Sequence, residues 1–209
     1  MFDLEREHPE NVFLMTGLHP THVKENYHEE LSFVKQELKR RKYVAVGEIG
    51  IDLYWDKSTL AIQQEAFRRQ IQLAKQHELP IVIHCRDAFD EVFEVLETEK
   101  DEKLFGIFHC FTGTYEQAQQ ALSFNMKLGI GGVVTFKNGK LDTFINRIPL
   151  KDVVLETDSP YLAPAPYRGK RNESVYITRV LEKLAELYEM DTEAVAEVTT
   201  QNSREVFGV

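Results

Sequence analysis

The stretch Val44-Ala45-Val46-Gly47-Glu48 decides the fold, because an apolar run ends there in an ionisable residue and a turn. The same order recurs in Ile81-Val82-Ile83-His84, Gly106-Ile107-Phe108-His109 and Val153-Val154-Leu155-Glu156-Thr157-Asp158. Continuous apolar strands are typical of parallel sheets that helices cover on both faces. We therefore expect an α/β fold in which each of these runs is a buried strand.

Amphipathic stretches separate the apolar runs, and in the longest of them Phe67, Ile71 and Ala74 recur at helical spacing. Strands are predicted at 12–16, 43–46, 80–83, 104–108, 127–134 and 152–155. Helices are predicted at 30–41, 58–76, 88–97, 115–124, 141–147, 174–188 and 192–207. The pattern amounts to six strand–helix units in a single domain over 1–209, whereas a closed barrel of such units normally has eight.

Composition limits the classes of function. The chain of 209 residues carries a formal net charge of -9, which argues against a protein that coats nucleic acid through a basic surface. An enzyme that contacts a few phosphates through a metal and one basic cluster is compatible with that charge. Cys85 and Cys110 form no CxxC pair, which favours reduced thiols in a cytoplasmic protein. The charged start 1–8 is unlike a signal peptide, and no apolar run is long enough for a membrane span.

The strand ends carry the candidate site residues, namely Glu48, His84, His109 and Asp158. Ligands of parallel α/β folds bind at the carboxyl ends of the strands, where these side chains would converge. Two imidazoles and two carboxylates suit a divalent ion such as Zn, Mn or Mg, which would activate a bound water. Taken singly, each residue is as readily a hydrogen-bonding neighbour of a site, and Asp158 a helix cap or turn residue.

Strand alternation separates the cysteines from this site. Cys85 follows His84 and Cys110 follows His109, and successive side chains of a strand point to opposite faces. We therefore expect the cysteines to face the helices rather than a metal.

Six motifs, in this order along essentially the whole chain, resemble those of the TatD family of metal-dependent deoxyribonucleases. They are Gly17-Leu18-His19-Pro20, Gly47-Glu48-Ile49-Gly50-Ile51-Asp52, Ile83-His84-Cys85-Arg86-Asp87, Phe108-His109-Cys110-Phe111-Thr112-Gly113, Glu156-Thr157-Asp158-Ser159-Pro160-Tyr161-Leu162 and Pro166-Tyr167-Arg168-Gly169-Lys170-Arg171-Asn172. The resemblance implies a TIM-type (β/α) barrel and a divalent-metal nuclease that degrades DNA exonucleolytically from single-stranded ends.

The resemblance also implies roles for individual residues. Glu48 would bridge two metals, and His84 and His109 would be ligands of the second metal. Asp158 would bind the first metal and take the proton of the attacking water. His19 would lie at the rim, on the substrate side.

One feature of the family is absent from this sequence. The family opens with a His-x-His pair on its first strand, and this chain has no His-x-His. We therefore expect an incomplete barrel whose first two strand–helix units are missing, either as a fragment or as a short natural form with at most one well-held metal. Such a barrel would expose sheet edges, through which copies of the chain can self-associate.

Further residues are candidates for substrate binding. Arg86 can grip a phosphate or pair with Asp87 or Asp90. Tyr161 can stack on a base. The cluster Arg168, Lys170 and Arg171 either binds phosphates or is a solvated loop. Two rival functions use the same scaffold: an amide or ester hydrolase, and an inactive truncated form.

Overall fold

The computed structural model describes residues 1–209 and alternates strands with helices along the chain. The strands are β1 (Met15–Thr16), β2 (Ala45–Asp52), β3 (Ile81–Arg86), β4 (Gly106–Phe108), β5 (Met126–Ile130) and β6 (Val153–Leu155). The helices are α1 (Phe2–Glu7), α2 (Tyr27–Arg40), α3 (Leu60–Gln76), α4 (Phe89–Glu99), α5 (Tyr115–Ser123), α6 (Ile177–Tyr188) and α7 (Thr192–Phe207). None of these helices has both the length and the apolarity needed to cross a membrane.

The strands follow one another in the sheet in chain order. β1 and β2, β2 and β3, and β5 and β6 pair in parallel. This arrangement confirms the predicted α/β fold with parallel strands. The chain divides into two compact units, one formed by Met1–Gly106 with Phe207–Val209 and the other by Ile107–Val206. The single domain over 1–209 stays a prediction.

The first unit is built around α3, which packs against β2, α2 and α4. Its residues Ala66, Phe67 and Ile71 are fully shielded from solvent. Burial of a side chain as large as Phe67 or Ile71 stabilises a fold by about 1.5–3 kcal/mol. The helical periodicity of the sequence therefore reflects a real core face.

Two strands of the first unit continue past the ends that the sequence predicts. β2 runs to Asp52 rather than to Val46, and β3 runs to Arg86 rather than to Ile83. In β2 the glycines cause the error, because they are typical of turns, whereas here Gly50 allows the two strands to approach closely. A Cβ on Gly50 would lie 2.0 Å from the His84 carbonyl oxygen. Glu48 and His84 therefore lie within strands, not after them.

A β-bulge interrupts the pairing of β2 with β3. Gly47 pairs with Val82 and Ile49 with Ile83, so that Glu48 is an extra residue with no counterpart in β3. Bulges occur next to active sites, where they redirect a side chain. The bulge therefore marks Glu48 as a residue whose direction the backbone specifies.

The second unit contains fewer regular elements than the sequence predicts. Residues 141–147 form two 3-10 turns, Leu141–Thr143 and Ile145–Arg147, instead of a helix. Buried side chains three residues apart suit the three-residue repeat of a 3-10 turn, as at Leu141 and Phe144. β5 ends at Ile130, and a 3-10 turn at Gly132–Thr135 replaces the rest of the predicted strand.

Candidate metal centre

The first unit brings His19, Glu48 and His84 together. One potential ligand atom from each residue lies within 4.8 Å of those of the other two. His19 Nε2 lies 3.6 Å from Glu48 Oε2, and the two imidazole rings are 4.5 Å apart between centroids. The three side chains are half-buried, with 20–28% of their surfaces exposed. Two ring nitrogens and a carboxylate oxygen in this arrangement fit a divalent ion.

Asp52 orients the His84 ring. Its Oδ2 lies 2.8 Å from His84 Nε2, and its side chain is 2% exposed. A carboxylate can only accept a hydrogen bond, so the His84 proton is on Nε2 and Nδ1 retains its lone pair. Metal-binding histidines commonly donate their other N–H to a carboxylate in this way. The sequence interpretation missed Asp52, although the strand alternation from Glu48 through Gly50 points to it.

His19 lies in the loop between β1 and the 3-10 turn Pro20–His22. Its Nδ1 is 2.8 Å from Thr21 Oγ1 and 3.3 Å from the Thr21 amide nitrogen. The Thr21 N–H donates to Nδ1, and Nε2 is the ring nitrogen on the side of Glu48. The resemblance implies a position for His19 on the substrate side, whereas the structure groups it with Glu48 and His84 as a potential metal ligand.

Two buried glutamines of α3 hold the backbone beside these side chains. The Gln63 amide accepts a bond from the Asp52 N–H at 2.8 Å and donates to the Asp52 carbonyl oxygen at 3.0 Å. The Gln70 amide makes the same pair of bonds with Leu18, at 2.6 and 3.2 Å. Both glutamines are at most 2% exposed. One helix thus fixes the strand end that carries Asp52 and the loop that carries His19.

The second unit contains a group of ionisable side chains around His109. Its Nδ1 lies 3.0 Å from Glu156 Oε2, and its Nε2 lies 3.5 Å from Asp158 Oδ1. The other Glu156 oxygen accepts a bond of 2.7 Å from the Cys110 N–H. Glu156 therefore holds His109 as Asp52 holds His84. Glu156 has no predicted role, although it lies two residues before Asp158 at the predicted strand end.

Gly129 makes room for the Glu156 carboxylate. A Cβ at this position would lie 2.4 Å from Glu156 Oε2 and 3.0 Å from the Phe108 carbonyl oxygen. No side chain larger than hydrogen therefore fits here without a shift of Glu156. At Gly131 the nearest distance from such a Cβ to Glu156 is 3.5 Å, which is an ordinary contact.

Burial affects the reactivity of Cys85. It raises the pKa of the thiol well above the usual range, and the negative charge of Glu91 adds to the effect. The thiolate, which is the nucleophilic form of the side chain, is therefore disfavoured.

Apart from His19, the predicted substrate-binding residues lie at exposed positions. Arg86 stacks on the Tyr54 ring, at 3.6 Å from its guanidinium carbon to the ring centroid. Arg168 stacks in the same way on Phe136, at 3.8 Å. Tyr161 is 70% exposed, and Lys170 and Arg171 are also exposed.

Asn172 ties the basic loop to the segment around Tyr161. It is 2% exposed, and its Nδ2 donates to the Tyr161 carbonyl oxygen at 2.7 Å. The backbone N–H of Asn172 donates to the Pro160 carbonyl oxygen at 3.0 Å. The basic cluster is thus part of an anchored loop of the second unit.

The chain is similar to several known proteins. The profile of the family described as TatD related DNase matches residues 1–208. The uncharacterized metal-dependent hydrolase YabD of Bacillus subtilis (strain 168) is 44% identical over 199 residues, which are 95% of this chain and 78% of YabD. A Yersinia pseudotuberculosis protein named 3'-5' ssDNA/RNA exonuclease TatD is 31% identical over 210 residues, 98% of this chain and 81% of that protein.

The fold of the chain also matches that of a solved structure. The crystal structure of YjjV, a TatD homologue from Escherichia coli K12, matches with a TM-score of 0.92 and 31% identity over 99% of this chain and 80% of that one. This likeness confirms the predicted TIM-type α/β fold class. With the family profile and the identity to YabD, it shows that the chain belongs to the TatD-related family of metal-dependent hydrolases.

Proposed function

We propose that the protein hydrolyses phosphodiester bonds of DNA from single-stranded ends, with a divalent metal as cofactor. The observation that carries the proposal is the group formed by His19, Glu48 and His84, whose ligand atoms lie within 4.8 Å of one another. The Yersinia pseudotuberculosis relative, named as an exonuclease of single-stranded DNA and RNA, supports the same substrate class.

The residues of the first unit would bind and orient the ion. His19, Glu48 and His84 supply the ligand atoms, and Asp52 keeps the His84 proton on Nε2. A divalent ion supplies Lewis acidity towards the phosphoryl oxygen and lowers the pKa of water.

For His109 and Asp158 we retain the roles that their motifs imply. His109 is proposed as a metal ligand, and Asp158 is proposed both to bind a metal and to take the proton of the attacking water. Glu156, 3.0 Å from His109 Nδ1, would fix the orientation of that ring.

Exposed cations would contact the DNA backbone. Arg86, Arg168, Lys170 and Arg171 are exposed, and guanidinium groups pair with phosphate oxygens through two N–H groups at once. Because such contacts are few, they are compatible with the net charge of -9.

The test is hydrolysis of a labelled single-stranded oligonucleotide with Mg²⁺ or Mn²⁺, followed by addition of a chelator. We expect chelator-sensitive cleavage, and its loss in His84→Ala and Glu48→Gln. His8→Ala is the matched control, because His8 is exposed and lies outside the group. Unchanged cleavage in His84→Ala would refute the metal-ligand role, and turnover of acyl substrates instead of the oligonucleotide would refute the nuclease.

A further inference from the structure

Two exposed aromatic residues lie just after β2, separated from it by Leu53. Tyr54 is 52% exposed, and Trp55, the only tryptophan of the chain, is 73% exposed. Their rings are 4.8 Å apart between centroids and nearly perpendicular, at 89°. Adjacent aromatic side chains that remain in water often belong to a binding surface, since the same rings gain free energy when a flat ligand covers them.

Arg86 completes this surface. It is the last residue of β3 and pairs in register with Asp52 of β2. Its guanidinium carbon lies 3.6 Å from the centroid of the Tyr54 ring and 5.8 Å from that of Trp55. The structure thus places the Arg86 guanidinium against two aromatic rings. A stacked guanidinium keeps its edge N–H groups available for a phosphate.

Hydrogen bonds anchor the backbone that carries this surface. The Tyr54 N–H donates to Asp52 Oδ1 at 3.0 Å, and the Leu53 N–H donates to the Arg86 carbonyl oxygen at 3.0 Å. On the far side of Trp55, Asp56 Oδ1 accepts the Ser58 N–H at 2.8 Å. These bonds lower the backbone entropy that remains to be lost when a ligand is bound.

The surface is also linked to the candidate metal centre. Asp52 uses Oδ2 for His84 and Oδ1 for the Tyr54 backbone. His84 and Arg86 are two residues apart on one strand, so their side chains leave it on the same side. A ligand on the aromatic rings is therefore bound beside a metal ligand.

We propose that Tyr54, Trp55 and Arg86 form a stacking platform for one unpaired nucleotide. The base lies against the exposed rings, and Arg86 binds the adjoining phosphate. The proposal rests on the proposed function, because it assigns a position to a nucleotide of the same substrate. Every base has a π face, so the platform is tolerant of sequence. A paired base has its faces covered by neighbours in the duplex, so the platform selects single strands.

The sole tryptophan provides the probe. With chelator present to prevent hydrolysis, the intact protein is titrated with a short oligothymidylate, and Trp55 emission is recorded. The matched ligand is an abasic oligonucleotide of the same length, which keeps the phosphates and lacks the bases. We expect the oligothymidylate to quench Trp55 at concentrations at which the abasic strand has little effect.

Variants then separate the three side chains. By anisotropy of a labelled oligothymidylate, we expect Tyr54→Ala, Trp55→Ala and Arg86→Ala each to lower affinity by about 5- to 100-fold, the range for loss of one stacked base. Arg86→Lys, which keeps the charge but not the planar stack, should also lose affinity.

Two matched controls should bind as the unaltered protein does. Phe2→Ala removes another exposed ring, and Arg40→Ala removes another exposed cation. Thermal unfolding of each variant establishes that it is folded.

The outcomes distinguish this proposal from the proposed function. Equal affinity for the abasic strand, equal affinity for a duplex, or unchanged binding by the folded platform variants would overturn the platform, even if the protein is a nuclease. Base-dependent binding without chelator-sensitive hydrolysis in Mg²⁺ or Mn²⁺ would support the platform and refute the nuclease.

Discussion

Among single residues, Asp52 has the most connected position in the first unit. Its two carboxylate oxygens serve different partners, the His84 ring and the Tyr54 N–H, while Gln63 binds its backbone. Because this carboxylate is 2% exposed and hydrogen-bonded through both oxygens, it fixes the orientation of the His84 ring and of the Tyr54 backbone.

Substitution of Asp52 by Asn should weaken metal binding without unfolding the protein. The amide can present an N–H to His84, which would favour a proton on Nδ1 and remove the lone pair meant for the metal. Loss of such a carboxylate partner lowers metal affinity by about 10- to 100-fold. Calorimetric titration with Mn²⁺ measures the change, and Asp101→Asn, at an exposed aspartate paired with Lys75, is the control. Equal affinities in the two variants would contradict the role of Asp52.

Gly129→Ala should disturb the His109 group. The new methyl would lie 2.4 Å from Glu156 Oε2, so the carboxylate must leave its bonds with His109 and the Cys110 N–H. We expect a loss of about 1–3 kcal/mol in the free energy of unfolding, as for an overpacked core. Gly131→Ala is the matched control, since its methyl makes only ordinary contacts. Denaturant unfolding measures the free energy of unfolding of both variants. Equal values would contradict the prediction and show that Glu156 can shift without cost.

Among the elements, α3 does more than cover the sheet. Gln63 and Gln70 are two turns apart on one face of the helix, and each satisfies both backbone groups of a residue outside it. The helix therefore couples the core to the candidate metal centre.

Gln70→Leu should lower the free energy of unfolding. The substitution leaves the Leu18 N–H and carbonyl oxygen buried without their partner, and an unsatisfied buried group costs about 1–3 kcal/mol. Gln72→Leu, at an exposed position of the same helix, should leave the free energy of unfolding nearly unchanged. Urea unfolding measures both. Mn²⁺ affinity should also fall in Gln70→Leu, since Leu18 precedes His19.

The sequence predicts elements better than it predicts their ends and partners. The bounds of α7 are those predicted, because a long amphipathic period is a local signal. The end of β2 was wrong because glycines favour a turn in sequence, while in the sheet they allow close strand approach. The roles of Asp52, Gln63 and Glu156 are not predicted because their partners lie 11 to 47 residues away; a local pattern can place a residue at a strand end but does not identify such a partner.

For the whole molecule, net charge limits how nucleic acid can bind. At -9 the protein repels a polyanion except where cations are gathered. The exposed candidates are Arg86, Arg168, Lys170 and Arg171. Affinity should therefore depend on a few phosphate contacts and on stacking.

Salt titration tests this expectation. Each phosphate contact with a single strand contributes about -0.7 to the slope of log affinity against log salt, so four contacts set a limit near -3. We expect a slope between about -1 and -3 for an oligothymidylate, and a shallower one in Arg86→Ala. A steeper slope would indicate a more extensive basic surface than these four residues.

Because β2 contains an extra residue, the geometry of segment 47–52 should be more sensitive to an insertion or deletion than to a substitution. Deletion of one residue would restore the regular pleat, and every later side chain of the strand would exchange faces. The Asp52 side chain would then point away from His84 although the residue itself is unchanged. Among related chains, insertions and deletions should accumulate in the connections between strands and be excluded from this segment.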